Sequence, residues 1–442
     1  MRTGKSSRIR AICWCSTLKA ISSNIWRAAA QNDPQRNDPA VQATEHMSTH
    51  WRLPKGVDEV LPPHAWELEG LRRKVLDVFV SWGYDYLEPP VIEYLDALLV
   101  GSGEDLDLQT LKVVDQSSGR QLGVRADMTS QAVRVDAHSR RSENIQRLCY
   151  AGPVVFANPQ GNQTSRVPLK AGAEIFGAAG IGADAEVIGL MLETLEAAGM
   201  HAPVLLLGHM GIYRGLVARL IEEGGLDEAS QGQLFSCIQR KGASDIRALL
   251  DDSDAAEMLA ALPDLMGDMD ILPIAEDLLQ RAPQTVLTAL DELRALAELI
   301  RKNHPQVDLR IDVSELSGYG YHNGPVFAVY HPQHGSALAQ GGRYDGVGEV
   351  FGRGRPATGF DMNLKQLMTN NVAPSNGYFV PYRASESREG LASAVQALRA
   401  KGHRVIVAVA ETESMPVGCE GILVQDQGNW TPQSVSETVP EQ

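Results

Sequence analysis

The sequence predicts an α+β fold: a mixed, mainly antiparallel sheet flanked by helices, with a helical insertion and a short C-terminal α/β tail. Three observations predict it. The stretch 148–176 reads strand, long polar loop, strand, which suits antiparallel neighbours rather than a βαβ unit. From Ile212 to about Asn303 the chain turns rich in Leu, Ala, Asp and Glu and almost loses its β-branched clusters. Strand-like runs then return at 309–313, 326–330 and 337–340, so a helical module interrupts a sheet.

The elements follow in order. Leu68, Leu71, Val75, Val78, Phe79 and Trp82 recur at helical spacing over 65–82, and Gly83 stops that helix. Residues 84–87 read as extended ahead of Pro89-Pro90. Runs at 112–114 and 121–124 flank Ser117-Ser118-Gly119, a hairpin signal. A helix is expected over 129–138 and a connector over 142–146. Strands at 148–155 and 173–176 enclose the loop 157–170, marked by Pro159, Gly161 and Pro168. Val187, Leu190, Met191 and Leu195 mark a helix over 185–198 that Gly199 closes, and 204–207 reads as a buried strand. Within the insertion, Ile274, Leu278 and Leu279 mark one helix, and Leu290, Leu293, Ala297 and Ile300 another. A polar break at 370–376 precedes a tail with a helix over 389–401 and a strand over 404–408.

These elements divide the chain into a core in two parts, 47–211 and 306–370, an insertion over 212–305, and a region 377–442 too short for a full-sized further domain. Residues 1–46 are basic at the start (Arg2, Lys5, Arg8, Arg10). Their apolar stretch is broken by Lys19, Ser22, Ser23 and Asn24, a poor signal-peptide pattern. They read as a disordered extension, or as a start placed too early, with ordered-looking sequence beginning at Met47.

Composition narrows the function. Of the 442 residues 43% are hydrophobic and 21% charged, as in ordinary soluble proteins. The formal charge is −15; residues 1–46 hold seven Lys/Arg and three Asp/Glu, or +4, which leaves −15 − 4 = −19 on the rest. Such a body repels phosphate backbones, which disfavours a general nucleic-acid binder. The five cysteines are scattered, without zinc-ligand or CxxC spacing, as in a reduced, cytoplasmic protein. No apolar run reaches membrane-spanning length. No metal and no cofactor are expected.

Four segments stand out for chemistry: Val124–Thr129, with Arg125 and Asp127; Arg147–Gly152 running on to Gly172–Gly177, with Glu174; Glu315–Asn323, with Tyr319, Tyr321 and His322; and Gly341–Gly346, followed by Pro356–Phe360. Each has a plainer account. Arg125 and Asp127 could form a surface ion pair, Glu174 could face water, the aromatics could be core, and Gly341-Gly342 a bulge.

The order and spacing of all four resemble the class II aminoacyl-tRNA synthetase core over about residues 51–367, and within it histidyl-tRNA synthetase. Arg125-Ala126-Asp127-Met128-Thr129 stands for a segment of the form Arg-x-Glu-x-Thr. Residues 147–177 correspond to motif 2, Ser317–His322 to a histidine-binding signature, and 341–367 to motif 3 and its approach. The resemblance implies that Asp127 and Thr129 meet the ligand α-amino group. It also implies that Glu174 binds an imidazole, helped by Tyr321 or His322.

The departures matter as much. In that family arginines of motifs 2 and 3 hold the α- and γ-phosphates of ATP, where a planar, permanently charged fork suits phosphate oxygens. Here the corresponding residues are Phe156 and Gln366, and a third arginine, in the histidine signature, is replaced by Ser317. Loss of one such donor typically costs about 10²–10³ in rate. Arg166 and Arg355 are the nearby substitutes. Lys170 takes the place of a neutral glutamine and could supply charge for a ligand carboxylate, or simply extend to solvent.

The same combination resembles a paralogous family, the regulatory subunits of ATP phosphoribosyltransferase. That resemblance implies a non-catalytic chain paired with a short-form catalytic subunit in the first step of L-histidine biosynthesis, with L-histidine as feedback effector. It also implies self-dimerisation around residues 65–90. A divergent histidyl-tRNA synthetase is the alternative, and a free-standing amino-acid-binding module a third.

Overall fold

A computed structural model describes residues 52–99, 104–159, 165–250, 253–318, 320–369, 377–382, 388–416, 419–426 and 429–434. Residues 1–55 and 56–442 cluster as separate compact units. Of the first, only 52–55 are described, and they hold no helix or strand. The expectations for 1–46, for the break at 370–376 and for Tyr319 fall outside the described residues.

In chain order the second unit runs α1 (His64–Ser81), β1 (Asp85–Tyr86), β2 (Ile92–Tyr94), α2 (Leu95–Leu99), α3 (Glu104–Gln109), β3 (Leu111–Val114) and β4 (Gln121–Val124). Next come α4 (Thr129–Arg134), β5 (Gln146–Pro153), β6 (Leu169–Phe176), α5 (Ile181–Ala197) and β7 (Val204–His209). A helical stretch follows: α6 (Met210–Glu222), α7 (Glu228–Gln239), α8 (Ala243–Leu249), α9 (Asp254–Ala261), β8 (Met266–Gly267), α10 (Ile271–Leu279) and α11 (Gln284–Asn303). The chain then returns to strands β9 (Asp308–Asp312), β10 (Pro325–Tyr330), β11 (Ala339–Arg343) and β12 (Ala357–Asn363). It ends with β13 (Gly377–Val380), α12 (Leu391–Ala400), β14 (Arg404–Val407), β15 (Cys419–Asp426) and β16 (Asn429–Ser434).

Among the described residues nine strands make the central sheet, in the order β1-β5-β6-β12-β11-β10-β7-β9-β8. Only β1–β5 and β7–β9 run parallel. The expected mainly antiparallel sheet is therefore the observed one. The hairpin expected around residues 117–119 is β3–β4, which with β2 forms a separate small sheet.

Strand alternation gives the central sheet two different faces. Cys149 and Ala151 of β5, Ala171, Ala173 and Ile175 of β6, and Phe360 and Met362 of β12 lie in the main core. Helices α1 (Leu71, Val75, Phe79) and α5 (Val187, Leu190, Met191, Leu195) belong to that core, and the small Ala side chains of β5 and β6 let them approach closely. The alternate residues turn the other way: Leu148 and Tyr150 in β5, Lys170, Gly172 and Glu174 in β6, Gly359 and Asp361 in β12. That second face carries the candidate site.

Several expectations are corrected. The loop set at 157–170 ends at Pro168, because β6 begins at Leu169 and pairs in register with β5 from Pro153 onward. Lys170 is therefore a strand residue, opposite Asn363. The helix expected over 129–138 is α-helical to Arg134 and then widens into a π turn, Val135–Ser139. The helical stretch starts at Met210, and its β8 adds to the central sheet beside β9. The tail is more than one helix and one strand. It forms a four-stranded sheet, β14-β13-β15-β16, with its own small core of Val380, Leu391, Val395, Val405 and Leu423. No helix among the described residues is long and apolar enough to cross a membrane.

Candidate functional site

A cavity of about 980 Å³ opens on the second face of the sheet, walled by β6, β11 and β12, the start of α4, the 316–322 segment and, from the helical stretch, Phe235 and Gln239 of α7. Asp127, Thr129, Lys170, Glu174, Tyr321 and His322 all line it, as do Phe156, Ser317 and Gln366. Residues drawn from four separate segments of sequence thus meet in one place.

Glu174 forms the floor and is 1% exposed. Tyr150 donates to its Oε1 at 2.9 Å and Tyr344 to its Oε2 at 2.5 Å. Burial pushes its carboxyl up to about 8, against the two tyrosine hydrogen bonds, which favour the anion. Gly359 lies directly opposite Glu174 in the β6–β12 register, and a Cβ there would collide with Glu174 Oε2. The glycine is thus the space into which the glutamate folds. The expected helpers stand one step away. Tyr321 packs on Tyr344, ring centroids 4.8 Å apart, and its hydroxyl is buried with no hydrogen-bond partner among the described residues. His322 lies edge-on to Tyr321, and burial lowers its imidazole to about 4, so it is neutral at pH 7.

Asp127 sits at the mouth of α4, where its Oδ2 accepts from the backbone N–H of Thr129 at 3.0 Å and of Ser130 at 3.4 Å. Thr129 Oγ1 lies 3.1 Å from the Tyr150 hydroxyl, which links it to Glu174. Lys170 does not simply extend to solvent: its Nζ donates to Asp361 Oδ2 at 2.8 Å. Burial disfavours the ammonium, but Asp361 and Asp127 outweigh that and raise its pKa. Burial also raises the Asp127 carboxyl, with Lys170 opposing and Asp361 adding to the rise.

The positions that lack arginine are filled structurally. Phe156 is 6% exposed, packs with Tyr150, Val154 and Tyr344 in the second core, and bridges to Thr110 through its backbone. The Ser317 amide donates to Glu315 Oε1 at 2.7 Å, and Gln366 lies 3.5 Å from Ser336 Oγ. Neither proposed substitute reaches the cavity wall. Arg166 Nε donates to the Phe156 carbonyl at 2.8 Å. Arg355 is committed to Asp136 and to the carbonyls of Ser142 and Asn144. Arg125 forms no surface ion pair: it is buried and donates to the carbonyls of Pro89 and Pro153. Among the described residues no arginine lines the cavity, and Lys170 is its one ammonium.

Sequence reasoning missed Tyr150, Tyr344 and Asp361 as site residues. Period-two alternation could have found Tyr150, two residues from Leu148 on the pocket side of β5, but not Asp361, whose strand β12 was not among the expected strands.

A relative from Thioalkalivibrio sulfidiphilus, an ATP phosphoribosyltransferase regulatory subunit, is 46% identical over 395 residues, 87% of this chain and 98% of that one. A Pseudomonas putida protein of the same name is 46% identical over 389 residues, 86% and 97% of the two chains. This chain belongs to the ATP phosphoribosyltransferase regulatory subunit family. Two family models divide it in keeping with that: Histidyl-tRNA synthetase over residues 56–367, and ATP phosphoribosyltransferase subunit HisZ C-terminal domain over 379–433. The second match falls on the tail, which was expected to be too short for a full-sized further domain. The regulatory-subunit frame also appears in a crystal structure from Bacillus halodurans titled as an ATP phosphoribosyltransferase regulatory subunit/histidyl-tRNA synthetase. That structure has TM-score 0.73 and 26% identity, and covers 84% of this chain and 95% of that one. Histidyl-tRNA synthetase from Nostoc sp. PCC 7120 shares the fold at TM-score 0.68 and 17% identity, with 83% and 88% of the chains covered.

Proposed function

We propose that this regulatory subunit is catalytically inactive by itself and acts with a separate, short-form ATP phosphoribosyltransferase catalytic subunit in the first step of L-histidine biosynthesis. Its cavity takes free L-histidine as the feedback effector. One observation carries the reading: the cavity keeps three acidic side chains, Asp127, Glu174 and Asp361, of which burial holds Glu174 protonated up to about pH 8, and a single ammonium already engaged by Asp361. A triphosphate needs clustered positive charge, and this wall offers the opposite. A zwitterionic amino acid fits far better. Asp127 and Asp361 suit its ammonium, Lys170 its carboxylate, and Glu174 with the unpaired Tyr321 hydroxyl its imidazole. A ligand lacking the ring would leave the buried Tyr321 hydroxyl unpaired, which is a basis of discrimination.

Self-association fits the same reading. Trp66 and Val80 expose apolar surface within residues 65–90, where the resemblance sets the dimer contact, and Val91 and Ile92 continue it just beyond. Sedimentation of Ile92→Glu tests it, with monomers as the expected result.

The deciding experiment is twofold. ATP–pyrophosphate exchange with histidine stays at background, and a tagged copy co-purifies the catalytic subunit and makes its activity histidine-sensitive. Robust exchange would make the chain a synthetase instead. Failure to retain any phosphoribosyltransferase would leave a free-standing binding module.

A further inference from the structure

Lys241 follows the C-terminus of α7 with φ +57°, in the left-handed region. Its amide donates to the Ile238 carbonyl and the next amide, of Gly242, to the Cys237 carbonyl, both at 2.9 Å. Glycine takes such a position without steric conflict, and lysine does not. The lysine side chain has a use there. Its Nζ donates to both oxygens of Asp312, at 2.8 and 2.6 Å, and to Ser314 Oγ at 2.7 Å. Asp312 is 2% exposed, and it also accepts from the Ser314 amide and hydroxyl, each at 3.0 Å. A carboxylate that buried needs a counter-charge.

The position of this cluster matters more than its strength. Asp312 ends β9, and the residues just beyond it, Leu316, Ser317 and Gly318, form one wall of the cavity. Phe235 and Gln239, on the helix that Lys241 terminates, form another. One ammonium therefore joins two cavity walls drawn from elements 71 residues apart in sequence. The far end of the same loop is held separately, by Arg214 of α6 donating to the His322 carbonyl at 2.9 Å.

We propose that Lys241 is a positioning residue for the ligand pocket: its ion pair with Asp312 latches α7 onto the 313–318 segment, and so couples cavity occupancy to the helical insertion. This rests on the reading of the cavity as a histidine site. With the latch closed both walls stand in the binding arrangement. With it broken only a fraction of molecules do, and apparent affinity falls by that fraction. The coupling is reciprocal, so ligand binding steadies α7 in return.

The test uses the full chain and three substitutions. Lys241→Met keeps the left-handed backbone and removes the charge. Lys241→Gly removes the charge and relieves the backbone. Lys241→Arg keeps the charge. Calorimetry with L-histidine should show the Met and Gly variants weakened by about fivefold or more, the lower end of ordinary coupling, and the Arg variant near wild type. Hydrogen exchange should show histidine protecting residues 230–239 in wild type and in Lys241→Arg, but not in the other two. A purely structural lysine predicts instead that Lys241→Gly, freed of steric conflict, binds as wild type does; that result overturns the latch. If wild type binds no histidine, the histidine reading fails on its own. The latch is then judged on the unliganded protein: Lys241→Met must speed exchange in both 230–239 and 313–318, but not in β13–β16, and unchanged exchange overturns it.

Discussion

Lys170 Nζ lies 2.8 Å from Asp361 Oδ2, and the two side chains project from neighbouring strands into the same cavity. The pair balances the charge of the site from within. A ligand that brings only a cation must compete with Lys170 for Asp361, and one that brings only an anion must compete with Asp361 for Lys170. A zwitterion brings both charges and exchanges one ion pair for two. Calorimetry should therefore rank L-histidine well above histamine and imidazolepropionate. In Lys170→Met the order changes. Histidine weakens by about tenfold or more, the scale of one charge-assisted contact. Histamine, which can then take both Asp127 and Asp361, holds or improves. Unchanged histidine affinity in Lys170→Met would remove the lysine from the site.

Glu174 makes the stability of the protein depend on pH in a defined direction. Its carboxyl moves from 4.5 to about 8 on folding, because burial disfavours the anion. Between those values the folded chain holds a proton that the unfolded chain has lost. Stability therefore falls with rising pH by about 1.4 kcal/mol per unit from this group, and levels off above its folded pKa. Glu174→Gln removes the titration and can still pair with the hydroxyls of Tyr150 and Tyr344. Urea unfolding of both proteins from pH 5 to pH 9 should show the variant gaining on wild type across that window. A constant difference would mean that the carboxyl titrates normally.

Restoring the arginines one at a time should separate two kinds of position. Phe156 belongs to the buried cluster of Tyr150, Val154 and Tyr344 and is 6% exposed, so Phe156→Arg forces a guanidinium into an apolar core and should cost roughly 3 kcal/mol or more. Gln366 stands at the half-exposed edge of the cavity, and Gln366→Arg should fold with little loss. Denaturant midpoints measure both. Neither variant should gain ATP–pyrophosphate exchange, because the carboxylates that oppose phosphate remain.

Much of this arrangement was legible in the sequence, for physical reasons that also explain what was not. Helices α1 and α5 declare themselves because each must keep an apolar stripe against the sheet, and Gly83 and Gly199, both with positive φ, end the patterns. Asp127 and Glu174 stand out as charges in otherwise apolar surroundings. Asp361 did not, because its meaning is a partner 191 residues away, created by strand register alone. Tyr344 lay within a segment already singled out, but its hydroxyl became a site group only once the sheet brought the end of β11 to Glu174, across the intervening β12. The tail strands β15 and β16 were hidden by polar content. Glu420, Gln425 and Asp426 in one and Asn429, Gln433 and Ser434 in the other leave too weak an alternation to read.

Gly359 and Glu174 should behave as a coupled pair. A methyl group at Gly359 meets Glu174 Oε2 first, and the Ala173 carbonyl at 2.7 Å next. Gly359→Ala must therefore push the glutamate away from Tyr344 or spread β12 from β6. Overpacking of this kind costs about 1–3 kcal/mol. In a Glu174→Ala background the first obstruction is gone and only the carbonyl contact remains, so the same substitution should cost visibly less. The double-mutant cycle, read from urea midpoints at pH 6 where the Glu174 carboxyl is protonated, should return a coupling of about 1 kcal/mol or more. Strict additivity would mean that the backbone absorbs the methyl group without disturbing Glu174. In that case the glycine would serve the strand pairing rather than the site.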